Sequence, residues 1–288
     1  MAPVMDLRHS LRDHVSAHDR GLLYGDGVFE TIRCKAGNLV LRDLHQRRLL
    51  LSCDRLGITL DPSMLDDWLT SLSSAAPADD VVLKIIVTRG EGGRGYAPPT
   101  HPAYTLLAQW HQLPAATSDA WQEGMDCLLC HHPLSENIAT AGIKHLNRLD
   151  QVMASRELAT ITAQYPSIRE GLMFDQRARL IEGTRSNLFV VINNQVFTPD
   201  LARSGVAGVM RQWVLDSLAQ EHVTVTVTDI NINTLRLASE MFICNSVFGI
   251  WPVLHVFQLD GNQLQLQASF DHTNVCRRLQ TKAQDMFI

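Results

Sequence analysis

Lys144 stands in the stretch Ala141-Gly142-Ile143-Lys144-His145-Leu146-Asn147-Arg148-Leu149, and it is one of four lysines in 288 residues. A lysine held between a glycine turn and a helix start can condense through its amine with a carbonyl compound. A solvated lysine at the same place does nothing of the kind, so distant segments have to decide. Lys35 precedes a hairpin turn, Lys84 lies in mid-strand where alternation can turn it outward, and Lys282 sits in a polar segment near the end of the chain. None of these three has a glycine just before it and a helix just after it.

Four other segments carry matching chemistry. Glu182 ends a short strand in Ile181-Glu182-Gly183-Thr184-Arg185-Ser186-Asn187. Ser204-Gly205-Val206-Ala207-Gly208-Val209-Met210-Arg211 opens a helix, where glycine-rich backbone amides make either an anion site or a plain capped start. Cys244-Asn245-Ser246 ends a strand with polar side chains, and Arg48 adds a guanidinium for a charge-assisted contact. An enzyme of pyridoxal phosphate (PLP) needs these parts: a lysine for the imine, a carboxylate facing the pyridine nitrogen, and amides and hydroxyls around the phosphate. The carboxylate keeps that nitrogen protonated, so the ring can accept electrons from a carbanion. A fifth segment, Arg89-Gly90-Glu91-Gly92-Gly93-Arg94-Gly95-Tyr96, is either a flexible tip or a lid that presents a guanidinium to a carboxylate. It lacks the Gly-Lys-Ser/Thr ending of a phosphate loop.

The elements that must position these groups alternate between strand and helix, which makes the chain mixed α/β. Residues 1–20 read as a short strand and a connection, and three glycines between Asp19 and Arg33 mark a tight turn. Residues 28–34 and 39–42 form a hairpin. A helix capped by Asp43 covers 44–56, with Leu49, Cys53 and Leu56 inward, Arg47 and Arg48 at its flanks, and Gly57 ending it. Asp61 opens a second helix, and strands follow at 81–88 and 104–110. Beyond a Pro-containing linker at 113–118 come a strand at 125–132 and a helix at about 145–164 with Leu149, Val152, Met153 and Leu158 on its apolar stripe. Strands at 170–174, 180–182 and 187–192, a helix to about 219, a strand at 223–227, a short helix at 230–237, strands at 241–245 and 250–254, and a polar end at 257–288 complete the order. The length suits two domains, at 1–112 and 119–288, with 113–118 as the linker.

Composition narrows the partners. Apolar residues make up 45% and charged residues 19%, as in ordinary folded enzymes. The net charge of −5 and the absence of basic runs speak against nucleic acid. An anionic small-molecule substrate would then have to be held by local arginines rather than by a global field. No window approaches a membrane span, and Met1–Asp6 has no apolar core of signal-peptide length, so a cytoplasmic location is expected. Six scattered cysteines are expected to be reduced and packed. Cys127-Leu-Leu-Cys130-His131 matches a c-type haem attachment and half of a zinc site, but haem attachment needs export and no second ligand pair has zinc spacing. No metal is expected.

Taken together, these segments resemble the fold-type IV PLP enzymes: branched-chain aminotransferases, D-amino-acid aminotransferases and aminodeoxychorismate lyases. The matching pieces are Asp19-Arg20-Gly21…Tyr24-Gly25-Asp26-Gly27-Val28-Phe29-Glu30, His45-x-x-Arg48-Leu49, the Lys144 segment, Glu182-Gly183…Ser186-Asn187-Leu188-Phe189 and Gly205-Val-x-Gly208-x-x-Arg211. They occur in family order along nearly the whole chain. Gly92-Gly93-Arg94-Gly95-Tyr96, Gly208-Val-Met-Arg-Gln212, Ile243-Cys-Asn245…Trp251-Pro252-Val253 and Thr31 are similar to the bacterial lyase subgroup.

The resemblance implies a smaller N-terminal α/β domain and a larger, β-barrel-like C-terminal domain with flanking helices that binds PLP, in a homodimer. It implies that Lys144 holds PLP and shuttles protons, and that Glu182 pairs with the pyridine nitrogen. It implies that Arg48, the amides of Val206 and Ala207, and Asn245 with Ser246 bind the phosphate. Arg94 and Thr31 would contact substrate, with Arg33 or Tyr96 as alternatives. The implied activity is conversion of aminodeoxychorismate to 4-aminobenzoate and pyruvate. A D-amino-acid or branched-chain aminotransferase and a PLP-binding protein without turnover stay open beside it.

Overall fold

The computed structural model describes residues 15–101, 103–114 and 117–288. The strand expected at the N-terminus therefore falls largely outside the described residues. Two compact units emerge. One comprises the chain up to Pro114 together with Ile143–Asn147, and the other comprises Ala115–Gly142 and Arg148–Ile288. Lys144 thus belongs to the first unit, although the sequence places it among the residues of the second half.

In the first unit, Asp19 caps the short helix α1 (Arg20–Tyr24) by accepting the Gly21 N–H at 2.8 Å. Strands β1 (Gly27–Lys35), β2 (Asn38–Leu39), β3 (Val81–Glu91) and β4 (Ala103–Gln112) form an antiparallel sheet in the order β2-β1-β3-β4. Side chains alternate across a strand. Val28, Ile32 and Cys34 of β1 and Leu83, Ile85 and Val87 of β3 therefore enter one core with Leu49 and Cys53 of α2 (Arg42–Arg55) and Leu65, Trp68 and Leu69 of α3 (Pro62–Ser74). The opposite side of β1 carries Phe29 and Thr31, which are only half-buried. Asp61 caps α3, accepting from Ser63 and Met64. Asp43 does not cap α2: Leu41 is its N-cap, and Asp43 lies in the first turn, where its charge still complements the helix dipole.

In the second unit, α4 (Thr117–Glu123) leads into a nine-stranded sheet. Its strands are β5 (Met125–Leu129), β6 (Ile168–Phe174), β7 (Leu180–Gly183), β8 (Asn187–Ile192), β9 (Gln195–Pro199), β10 (Val225–Thr228), β11 (Glu240–Asn245), β12 (Gly249–Asp260) and β13 (Gln263–Ser269). Eight run in the order β10-β9-β8-β11-β12-β5-β6-β7, with β13 paired to β12. The Leu180 N–H of β7 donates to Ile230 O, just past β10, at 2.6 Å. The two ends of that path meet, so the sheet curls into a barrel-like wall. Helices α5 (Leu149–Thr162), α6 (Val209–Gln220), α7 (Ile232–Arg236) and α8 (Asn274–Phe287) complete the unit. No helix of the described residues is long and apolar enough to cross a membrane.

Three elements differ from the sequence expectations. Helix α5 starts at Leu149, not His145, because the backbone of 144–146 bonds to β1 instead: Phe29 N–H donates to Lys144 O and Leu146 N–H to Gly27 O, both at 2.9 Å. Its buried side is Ala154, Leu158 and Ile161, whereas Leu149 and Val152 are 77% and 51% exposed. The segment 257–288 is not irregular. It holds the end of β12, all of β13, and α8, whose Cys276, Leu279, Ala283 and Phe287 are buried one turn apart within a polar sequence. Cys127 and Cys130 are buried in and just after β5, burial pushing both thiols up, while His131 sits at the surface beside Glu157.

Candidate active site

Alternation along β1 sorts the first unit's functional groups. Phe29 faces one way, and the Lys144 ammonium lies over its ring, 4.5 Å from the centroid. Thr31 is the next residue on that face, and its register partner on β3 is Lys84. Lys84 Nζ lies 5.7 Å from the same Phe29 ring. Two ammonium groups thus share one aromatic ring, whose negative face attracts cations. Lys84 had been set aside as an outward, mid-strand lysine. Its strand position was legible, but which face of β3 meets Lys144 was not.

Glu30, next to Phe29, points to the other face. Its carboxylate accepts from Arg48 Nε at 2.7 Å and Nη2 at 2.5 Å, and His45 Nδ1 lies 2.6 Å from Oε2. Burial pushes the Glu30 carboxyl up, but Arg48 and His45 outweigh it and bring it down to about 2. Burial also lowers His45 against the pull of Glu30, with Arg48 and Lys144 adding to the decrease. Glu30 stood in a quoted motif without a role; here it anchors Arg48 on α2. A guanidinium has five N–H donors, and Glu30 takes two of those on Arg48.

The remaining candidates of this unit are dispersed. Arg33 is buried and paired with Asp80 at 3.0 Å. Arg94 and Tyr96 lie on the loop between β3 and β4, both exposed, Tyr96 at 85%.

In the second unit, Glu182 ends β7 and is buried. Its Oε2 accepts the Val206 N–H at 2.7 Å and its Oε1 the Gln151 amide at 3.1 Å. The Ala207 N–H donates to Gly142 O at 2.9 Å. Both amides assigned to phosphate are therefore spent on building the site. Asn187, the first residue of β8, explains the loop beyond them: its Oδ1 accepts from Gly208 N–H at 3.1 Å and its Nδ2 donates to Val206 O at 2.8 Å. Gly208 then stands as the N-cap of α6 with no side-chain bond. The amides of Val209 and Met210, at the first helical positions, have no acceptor within the helix, and the helix dipole adds positive potential there. These amides lie three residues after Val206 and Ala207, the pair that the resemblance implies for the phosphate.

Asn245, at the end of β11, is also a builder. Its Oδ1 accepts from Val247 and Phe248 N–H, both at 2.9 Å, and its Nδ2 donates to Arg185 O at 3.1 Å. That turn presents Ser246. Cys244 is in register with Asn187, so the Ser246 turn and the α6 start occupy the same end of the sheet.

These donors suit PLP. Each unit by itself carries groups of the kind that PLP requires: in the first a lysine amine over an aromatic ring, in the second a buried carboxylate held by a backbone amide and an uncapped helix start. Gly205, at φ 83°, leaves room beside the carboxylate: a Cβ there would meet Ile181 Cγ2 at 2.8 Å and Glu182 Oε2 at 3.1 Å.

Known proteins are similar to this chain over most of its length. The amino-transferase class IV family profile matches residues 27–256. An aminodeoxychorismate lyase of Vibrio harveyi is 36% identical over 242 residues, covering 83% of this chain and 86% of that protein. A putative branched-chain-amino-acid aminotransferase of Methanocaldococcus jannaschii is 30% identical over 250 residues, covering 86% and 83%. The crystal structure of 4-amino-4-deoxychorismate lyase from Pseudomonas aeruginosa superposes with a TM-score of 0.85 at 40% identity, covering 94% of this chain and 95% of that one. The chain belongs to the class IV amino-transferase family of PLP-dependent enzymes.

Proposed function

We propose that the chain is a PLP-dependent carbon–oxygen lyase that converts 4-amino-4-deoxychorismate to 4-aminobenzoate and pyruvate, a step toward folate. The similarity supports it, at 36% and 40% identity to two such lyases against 30% to a putative aminotransferase. The structural observation that carries the reading is the second ammonium, Lys84, over the ring that Lys144 covers. A substrate with two carboxylates calls for cations beyond the reactive lysine.

Lys144 Nζ would hold PLP. Glu182 would face its pyridine nitrogen, and the Val209 and Met210 amides, Ser246 and Arg48 would hold its phosphate. When bound, PLP supplies an electron sink for the pair left as a C–H bond beside the amine breaks. Lys144 Nζ takes the C4 proton of the substrate. The bond from C3 to the ether oxygen then breaks, the ring becomes aromatic, and the released enolpyruvate takes up a proton to become pyruvate. Lys84 and Arg94 each bind a carboxylate by charge-assisted hydrogen bonds. Thr31 orients the ether, and Tyr96 walls the ring.

The same proposal includes a cytoplasmic homodimer. Leu22, Leu23 and Tyr96 are more than half exposed, an apolar surface of the kind a second copy covers. Light scattering should then give twice the chain mass of 32.2 kDa. The activity is tested by giving purified protein aminodeoxychorismate: equal amounts of pyruvate and 4-aminobenzoate are expected. Amino-group exchange between an amino acid and 2-oxoglutarate, with no 4-aminobenzoate formed, would favour the aminotransferase instead.

A further inference from the structure

The loop that carries Arg94 and Tyr96 is exposed and rich in glycine, yet it is not left to itself. One guanidinium holds it from beneath. Arg20 of α1, only 4% exposed, donates from Nη1 to Gly92 O at 3.4 Å, Gly95 O at 3.4 Å and Ala97 O at 3.2 Å, and from Nη2 to Tyr96 O at 2.9 Å. Its remaining edge is fixed as well. Arg20 Nε donates to Asp26 Oδ2 at 2.9 Å, and Arg89 grips the same carboxylate at 2.7 and 3.0 Å. The Arg89 guanidinium in turn donates to Leu56 O at 2.6 Å and Gly57 O at 2.9 Å. Burial pushes the Asp26 carboxyl up, but the two arginines prevail and hold it below the usual range, so the anchor is charged at neutral pH.

An aromatic arm runs alongside. Tyr24, one helical turn after Arg20, lies under its guanidinium at 5.0 Å, and the Tyr24 and Tyr96 rings meet edge to face at 5.4 Å. Four carbonyls converging on one planar cation is the geometry by which a loop acquires a single shape. A glycine-rich loop would otherwise lose much conformational entropy on each binding event.

We infer that Arg20 is a positioning residue for substrate recognition: it orders Gly92–Ala97 and thereby presets Arg94 and Tyr96, without touching cofactor or substrate itself. This rests on the reading above that Arg94 holds a substrate carboxylate.

The test uses the PLP-loaded enzyme with Arg20→Lys, Arg94→Ala and their combination. Lysine keeps a charge for Asp26 but cannot present the planar fork to four carbonyls. Gly93→Ala serves as a second route should Arg20→Lys not fold. At φ 81°, with a Cβ 2.5 Å from Ala97 O and 3.3 Å from Arg20 Nη1, it disturbs the loop where Arg20 grips it while both side chains of the Arg20–Asp26 pair are kept. Arg20→Lys and Gly93→Ala should each raise KM for aminodeoxychorismate about 10-fold with kcat changed less than about twofold, the loss of one charged hydrogen bond's ordering. Amide exchange of residues 92–97 should quicken in both, while the visible PLP band and PLP affinity stay as in the parent. The double variant Arg20→Lys/Arg94→Ala should fall well short of the product of the two single effects, since both changes remove the Arg94 interaction and only the placing of Tyr96 is lost in addition. A defective Arg94→Ala beside an unaltered Arg20→Lys, or effects that multiply in the double variant, overturns the inference. An Arg94→Ala enzyme with unaltered KM overturns the reading beneath it, even where exchange of the loop has quickened.

Discussion

Lys144 and Lys84 place their ammonium groups over one ring, that of Phe29, at 4.5 and 5.7 Å. They are 60 residues apart in sequence and reach the ring from a segment bonded to β1 and from the neighbouring strand β3. The proposed mechanism gives the two different tasks, Lys144 as the reacting amine and Lys84 as a holder of substrate carboxylate.

That division predicts opposite signatures. Lys144→Ala should abolish turnover and the visible band that appears when PLP is added. Lys84→Met should keep the band and the melting temperature, because Lys84 is half-buried and has no carboxylate partner among the described residues. Its kcat/KM should fall by about 10-fold or more, mainly through KM, as expected for one charge-assisted hydrogen bond. A Lys84→Met enzyme with parental KM would remove Lys84 from the site.

Glu182→Gln isolates the charge of the carboxylate. Glutamine fills the same space and can still accept the Val206 N–H that Glu182 now takes at 2.7 Å. It cannot keep a pyridine nitrogen protonated. PLP should bind within a fewfold of parental affinity, while kcat drops by roughly 100-fold, the scale of a lost electrostatic stabiliser. Equal losses of binding and kcat would mark Glu182 as a structural residue only.

The corrected phosphate donors can be probed by Val209→Pro. Proline is well suited to the first helical position, where its missing N–H costs the helix nothing. Gly208, at φ −66° and ψ 143°, already has the extended conformation that a residue before proline adopts. The fold should persist, and PLP affinity should fall about 10-fold through loss of one charge-assisted donor. Unchanged affinity in an equilibrium titration would move the phosphate elsewhere.

Glu30 and His45 give the first unit an acid sensitivity of definite sign. Glu30 titrates at about 2 in the folded protein against 4.5 ordinarily, so the unfolded chain binds its proton first as pH falls. Stability is fully present above about pH 4.5 and is lost from there toward pH 2, by about 3 kcal/mol in all. His45, held below 6.5, acts in the same direction from pH 6.5 downward, because the unfolded state protonates first. Urea midpoints should therefore drop between pH 6.5 and 3. Glu30→Gln should flatten the part of that drop below pH 4.5 and, by leaving Arg48 without its carboxylate, also weaken PLP binding.

Much of the site was legible in the sequence because chemistry is carried by residue type. Lys144 was singled out by its glycine and by the shortage of other lysines, and Glu182 by its place at a strand end. The mixed α/β class followed from alternating periodicities, and the motif order pointed to the family. The phosphate assignments were harder to read, because the hydrogen bonds that backbone amides and an asparagine side chain make carry no sequence signature. Val206 and Ala207 looked like phosphate donors because they lie in a glycine-rich helix approach. Their N–H groups donate to Glu182 and to Gly142 O, and the helix begins only after Gly208. Asn245 was taken for a ligand because asparagine can donate, but its side chain closes the turn around Ser246.

The sequence by itself determined the family and the cofactor that goes with it, and offered Lys144 and Glu182 as the amine and carboxylate for it, since those depend on functional groups present in the chain. Only tertiary structure decided which groups face one another. Strand pairing brings Lys84 beside Phe29, and β-bonding of residues 144–146 to β1 delays the helix expected directly after Lys144. Convergence of four carbonyls on Arg20 gives shape to the loop of Arg94. Each is a contact across long sequence separation, set by register and packing rather than by any local pattern. Lys144 is therefore singled out by distant segments of the chain and surrounded by residues that only the fold brings near it.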